Sequence, residues 1–245
     1  MIALFAILPL MNEQISDAYW VGYVAEKTEP AKLSGNNVAS TFQVKYKGKQ
    51  VTVTNLHVCR IPNVMEERRR ANEKAAIAII NEIFEIFEEE SPFKNKEYDE
   101  LTDEDLIGKE LEVGKFKREI LAIDKKHDLC IVEGNPNRNA FSLASSYEIG
   151  ELVRVIGYPR GLARHIREGR IVSKQGSYFS WLGYSTEYVL ISAIAYPGNS
   201  GSPIINKYGN VVGVLFAGSR MYHTETMIVP LEYLTNFLER SIDLI

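Results

Sequence analysis

Short β-branched runs separated by turn residues recur along most of the chain, and this rhythm restricts the fold more than any other feature. Strands are expected near 19–26, 38–46, 49–54, 119–123, 128–133, 152–157, 165–173, 187–194, 203–206, 210–217 and 224–229. Between them stand turn segments such as Lys47-Gly48-Lys49 and Lys207-Tyr208-Gly209-Asn210. Strands this short at this spacing predict an all-β sandwich or barrel. Pro230 then opens an amphipathic helix over 230–241, with Leu231, Leu234, Phe237 and Leu238 on one side. A chain of 245 residues is long enough for one domain or two packed half-domains.

Within this pattern, Pro197-Gly198-Asn199-Ser200-Gly201-Ser202-Pro203 is the segment with chemical content. Glycines on either side of Ser200 allow a tight turn that holds the hydroxyl out of the backbone. They also free the amides of Gly198 and Ser200 to point into one small space, as an oxyanion hole requires. The same residues make plain turns between strands, so the segment needs partners elsewhere in the chain.

A nucleophilic serine needs a base, and the chain has four histidines. His57 ends the period-two run Val51-Thr52-Val53-Thr54-Asn55-Leu56, where a rigid strand would hold the ring at a cleft. For the orienting carboxylate, Asp128 opens the apolar run Leu129-Cys130-Ile131-Val132. A charge at the mouth of a core strand is costly without a partner. Asp124 competes, but it lies in the polar turn Asp124-Lys125-Lys126-His127 and is expected to stay solvated. The chain order His57, Asp128, Ser200 is that of the chymotrypsin arrangement and not of the α/β-hydrolases, where serine comes first.

These segments resemble the trypsin-like serine proteases of the chymotrypsin fold. The similarity is greatest to the bacterial branch of HtrA-type proteases and glutamyl endopeptidases. Thr54-Asn55-Leu56-His57-Val58 looks like the histidine motif of that branch, and Asp124 to Val132 is similar to its aspartate motif. Val155-Ile156-Gly157-Tyr158-Pro159 with Gly161, followed by Glu168 to Ser173, looks like the opening of its second barrel. Gly198-Asn199-Ser200-Gly201-Ser202-Pro203 resembles the glutamyl-endopeptidase form of the serine motif.

The resemblance implies two six-stranded antiparallel barrels, the first over about 19–135 and the second over about 150–229, with the cleft between them. It implies a serine endopeptidase acting on protein or peptide substrates, with His57, Asp128 and Ser200 as the triad. Gly198 and Ser200 would supply the oxyanion amides, and no cofactor is called for. Ile194, Ala195, Leu215, Phe216 and Ala217 would line the substrate pocket. Leu215 and Ala195 stand where the glutamyl endopeptidases carry histidine and threonine, which argues against glutamate preference. Ile194 leaves no carboxylate for Lys or Arg, so a small or medium apolar side chain is expected, unless Arg220 turns inward. Asn199 replaces the aspartate that pairs with a new N-terminus in digestive enzymes, so activation by that route is not expected. Only one helix follows Val229, so no PDZ-like module is expected.

One stretch departs from this template. Residues 63–91 read as a helix of ~40 Å at ~1.5 Å per residue, with Ile77, Ile80, Phe84 and Phe87 on one face. With the acidic tail to about 105 it would insert into the first barrel. Packing on its own barrel is the simplest role for helix 63–91, against a lid or a homo-oligomer contact. Residues 1–18 are apolar and of signal-peptide length but lack a positive leading region. Export and a cytosolic protein with a hydrophobic first strand both remain open, and the resemblance leans to export. Cys59 and Cys130 are the only cysteines; a disulfide would need an oxidising compartment, and buried free thiols are expected.

A net charge of −4 argues against a nucleic-acid partner, and the apolar start is too short to span a bilayer. No metal-ligand spacing is present, and His165 and His223 read as structural or surface residues. Two other functions stay in view: a catalytically silent protease-fold binding or scaffold protein, and an esterase on another fold.

Overall fold

The computed structural model describes residues 26–32, 38–59, 77, 80, 109–179, 185–218, 225–241 and 243, with backbone alone over 174–179 and 185–186. Among the described residues twelve strands are formed: β1 (Thr28–Lys32), β2 (Val38–Tyr46), β3 (Lys49–Thr54), β4 (Glu110–Val113), β5 (Phe116–Asp124), β6 (Leu129–Glu133), β7 (Leu152–Gly157), β8 (His165–Phe179), β9 (Ser185–Ile191), β10 (Pro203–Asn206), β11 (Val211–Gly218) and β12 (Thr226–Pro230). A single helical turn, α1 (Leu56–Cys59), follows β3, and α2 (Leu231–Ser241) closes the chain.

The strands close into two six-stranded antiparallel barrels, ordered β1-β2-β3-β6-β5-β4 and β7-β8-β9-β12-β11-β10. The second barrel thus repeats the connectivity of the first, the chymotrypsin-like arrangement expected from the resemblance. Alternation along β2 and β3 explains the packing. Phe42, Val44, Val51 and Val53 share a core with Ile156, Ile205, Val214 and Phe216 of the second barrel and with Leu234, Phe237 and Leu238 of α2. The alternate residues Gln43 and Thr52 face the other way, where Gln43 Nε2 donates to Thr52 Oγ1 at 2.6 Å. In the same region Arg118 donates to Glu29 at 3.0 Å, an ion pair that is buried at both ends.

Two strands escaped the sequence reading. Thr28–Lys32 carries Glu29 and Pro30, which periodicity treats as exposed or strand-breaking. The pairing of Glu29 with Arg118 makes its burial tolerable. Glu110–Val113 is only four residues long. Of the strand expected at 19–26 only Glu26 is described, and it stands in a turn.

The chain divides into two compact units, residues 1–59 with 109–245, and residues 60–108. In the smaller unit Ile77 and Ile80 are helical. The remainder of the helix expected over 63–91, the oligomer contact assigned to it, residues 1–18, Arg220 and His223 lie outside the described residues. Among the described residues no helix is long and apolar enough to cross a membrane.

The two cysteines depart from expectation. They are not free thiols: Cys59 and Cys130 form a disulfide. The β3–β6 register sets Thr54 opposite Cys130, and α1 carries Cys59 back over the same strand, leaving the two Cα atoms 6.6 Å apart.

Candidate active site

Asp128 ends the tight loop between β5 and β6 and takes up a left-handed backbone conformation (φ +54°). Aspartate tolerates this region better than most side chains, though at some cost. The surroundings hold it there. The Asp128 carbonyl accepts from the Leu56 amide at 3.1 Å and from Asn55 Nδ2 at 3.0 Å. Its carboxylate accepts from the His57 amide at Oδ1, 2.9 Å, and contacts His57 Nδ1 through Oδ2 at 2.7 Å. A carboxylate can only accept, so the ring proton sits on Nδ1 and the lone pair of the neutral ring on Nε2. Asp128 is 3% exposed while His57 is half-buried, so the orienting charge is shielded and the base is reachable.

The serine turn is held by its carbonyls. Five consecutive ones accept hydrogen bonds: Tyr196 from the Asn199 amide (3.0 Å), Pro197 from the Arg160 amide (2.6 Å), Gly198 from Ser40 Oγ (2.8 Å), Asn199 from the Ser202 amide (2.9 Å) and Ser200 from the Ser40 amide (2.8 Å). On the far side, the Gly201 amide donates to Leu215 O and the Leu215 amide to Ser202 O, each at 2.9 Å. In a trans peptide the N–H points opposite to the C=O. Anchoring the Pro197 and Asn199 carbonyls therefore turns the Gly198 and Ser200 amides away from those anchors. Among the described residues, these are the two amides of the turn that donate to nothing.

Gly198 and Gly201 have positive φ, +98° and +81°. A Cβ at Gly201 would overlap Ser40 O and Thr54 Oγ1, and one at Gly198 would overlap Tyr158 O. The serine turn is thus seated on β2 and on the end of β3, three residues before His57. Among the described residues no hydrogen bond runs from Ser200 Oγ to His57. Backbone contacts, and not that bond, join the two segments. Such bonds are often long in unliganded enzymes and tighten with substrate.

A model of the trypsin-like peptidase domain matches residues 39–214, which takes in His57, Asp128 and Ser200. The chain belongs to the trypsin-like peptidase family. Serine protease HTR4 of Bos taurus is 29% identical to this chain over 121 residues, 46% of the chain and 25% of the relative. A probable periplasmic serine endoprotease DegP-like of Chlamydia trachomatis is 28% identical over 103 residues, 41% of the chain and 20% of the relative. The matches span from 15% to 27% of the length of such curated relatives. The active form of the Rv3671c protease of M. tuberculosis has a similar fold, with a TM-score of 0.60 at 16% identity over 89% of this chain and 82% of that one. So has an HtrA-type protease, AlgW with tripeptide, with a TM-score of 0.61 at 16% identity over 91% and 62%.

Several residues around the site of this trypsin-like peptidase do more than their sequence suggested. Asp124 is not solvated as expected. It is buried, accepts from the His127 amide at 3.1 Å, lies 2.9 Å from His127 Nδ1, and takes a 2.5 Å bond from Arg240 of α2. Burial alone would raise its pKa; the His127 hydrogen bond and charge, the His127 amide and Arg240 outweigh it and bring the value from 3.8 down to about 2. Asn55 and Ser40, given no role from sequence, tie the aspartate loop and the serine turn in place. The sole sequence signal for Asn55 was its place in the Thr54–Val58 motif.

Asn199 is buried with its side-chain oxygen towards Gly157. Leu215 and Phe216 are buried in the two cores, and the Leu215 amide and carbonyl are taken up by Ser202 and Gly201. Ile194 is 39% exposed, Ala195 and Ala217 are half-buried, and Gly218 has open space where a Cβ would stand. Among the described residues no His, Cys, Asp and Glu cluster suits a metal ion, and His165 is exposed at the start of β8.

Proposed function

We propose that this chain is a serine endopeptidase that hydrolyses peptide bonds through an acyl-enzyme. One observation carries the reading: a buried carboxylate grips both the ring and the amide of a half-buried histidine, in the same unit as a serine turn with two unengaged amides.

Ser200 Oγ attacks the scissile carbonyl while His57 Nε2 takes its proton. Asp128 keeps the Nδ1–H tautomer in place and stabilises the imidazolium that forms. The Gly198 and Ser200 amides receive the oxyanion, where one lost donor typically costs about 10²–10³ in rate. His57 then protonates the leaving amine, and water repeats the sequence to release the acid. For specificity, exposed Ile194, an apolar side chain that brings no carboxylate, supports a small or medium apolar residue before the scissile bond.

Labelling with a fluorophosphonate probe tests the chemistry: the wild type is labelled at Ser200 and Ser200→Ala is not. A peptide-library digest then reads the specificity. A second reading is a catalytically silent binding module on the protease fold, since a fold does not by itself fix activity. No labelling of the folded wild type would favour it.

A further inference from the structure

Ser40 makes four hydrogen bonds where the two barrels meet, although nothing in its sequence context marked it. Its amide donates to Ser200 O at 2.8 Å, and its carbonyl accepts from Thr54 Oγ1 at 2.8 Å. Its hydroxyl donates to Gly198 O at 2.8 Å and accepts from the Tyr158 amide at 3.0 Å. The residue is 1% exposed, so none of these groups has water as a substitute. The Tyr158 N–H occupies one face of the oxygen, and the hydroxyl proton goes to the Gly198 carbonyl.

We propose that Ser40 is the positioning residue of the oxyanion loop, fixing the relative orientation of the Gly198 and Ser200 amides; the inference rests on the acyl-transfer reading given above. The donor amides belong to the peptides Pro197–Gly198 and Asn199–Ser200. Between them lies the peptide Gly198–Asn199, and its plane sets the angle between the two donors. Gly198 sits at φ +98° without a Cβ, so its own backbone imposes little on that plane. The Asn199 amide holds one end of that plane on Tyr196 O, and the Ser40 hydroxyl holds the other through the Gly198 carbonyl. The Ser40 amide meanwhile holds the carbonyl of Ser200, two residues on, and with it the nucleophile. Strand β2 thus reaches from the first barrel to set the hole in the second.

The experiment compares wild type with Ser40→Ala, Ser40→Thr and Ser40→Cys. The readouts are the fluorophosphonate labelling rate, kcat and KM on a peptide found in the library digest, and affinity for a peptide boronate against the matching product peptide. The expected result for Ser40→Ala is a loss of about 10–100-fold in kcat, with KM within about threefold, because donors are misaligned but not deleted. Boronate affinity falls by the same factor and product affinity does not. Ser40→Thr, which keeps the hydroxyl, returns kcat to within about threefold of wild type. If alanine prevents folding, Ser40→Cys keeps the volume with a weaker hydrogen bond and shows the same kcat-weighted loss. Wild-type labelling and turnover in folded Ser40→Ala or Ser40→Cys would overturn the proposal, as would equal weakening of boronate and product. A wild type that takes no label at all instead removes the acyl-transfer reading beneath it, so the two failures are told apart.

Discussion

Cys59 is bonded to Cys130, and each stands two residues beyond one member of the His57–Asp128 pair. The bridge therefore ties together the turn that carries the imidazole and the strand that follows the carboxylate. It closes a sequence separation of 71 residues, for which loop-closure entropy predicts a contribution of about 4 kcal/mol. The double substitution Cys59→Ala/Cys130→Ala should lower the unfolding free energy by about that amount in a denaturant titration. The effect on labelling at Ser200 should be smaller, because the four hydrogen bonds between Asp128 and residues 55–57 remain.

Asp128→Asn should cut kcat by about 10⁴-fold while leaving the thermal midpoint within a few degrees. The amide keeps an oxygen for the His57 N–H but can present its NH₂ to the ring, which selects the wrong tautomer. Steady-state kinetics on a library-derived peptide checks this, and a drop below tenfold would contradict the assigned role.

Gly201→Ala introduces a Cβ into Ser40 O and Thr54 Oγ1 at a positive φ. Backbone cannot yield as a flexible side chain can, so the serine turn must lift from β2. The expected outcome is a destabilisation above about 3 kcal/mol and loss of labelling. Gly48→Ala is the control for positive φ without crowding, since nothing lies near its Cβ position. It should cost only about 1 kcal/mol or so.

Asp124 makes stability depend on acid. Its folded-state pKa, about 2, lies below the ordinary 3.8, so its contribution is complete above pH 3.8 and is lost as pH falls through about 2. The shift corresponds to a contribution on the order of 2 kcal/mol. Facing it are His127, which Tyr233 stacks at 4.1 Å, and Arg240. Asp124→Asn should flatten the fall in unfolding free energy between pH 4 and about 2 relative to wild type, as measured by urea titrations across that range.

Much of the fold could be read from periodicity. Val51 and Val53 alternate with Thr52 and Thr54, and a strand with one apolar face must carry that signal whatever it packs against. The same holds for α2, whose apolar stripe is local. β1 was invisible for the converse reason: Glu29 is buried by Arg118, a residue 89 positions away, and no local pattern encodes that partner. Asp124 was misjudged in the same way, since Arg240 reaches it from the far end of the chain.

The site divides along the same line. His57, Asp128 and Ser200 could be chosen from sequence because each sits in a short motif with its own chemical logic. Glycine beside a nucleophile is a requirement of the turn itself. The pairing of Cys59 with Cys130, the grip of Asn55 on Asp128 and the span of Ser40 to Gly198 and Ser200 all join residues distant in the chain. Local dihedral preference and hydrophobic alternation are properties of neighbours, so the sequence alone determined most of the elements and the candidate reactive groups. Which groups meet depends on strand register and barrel closure, which only the folded chain decides.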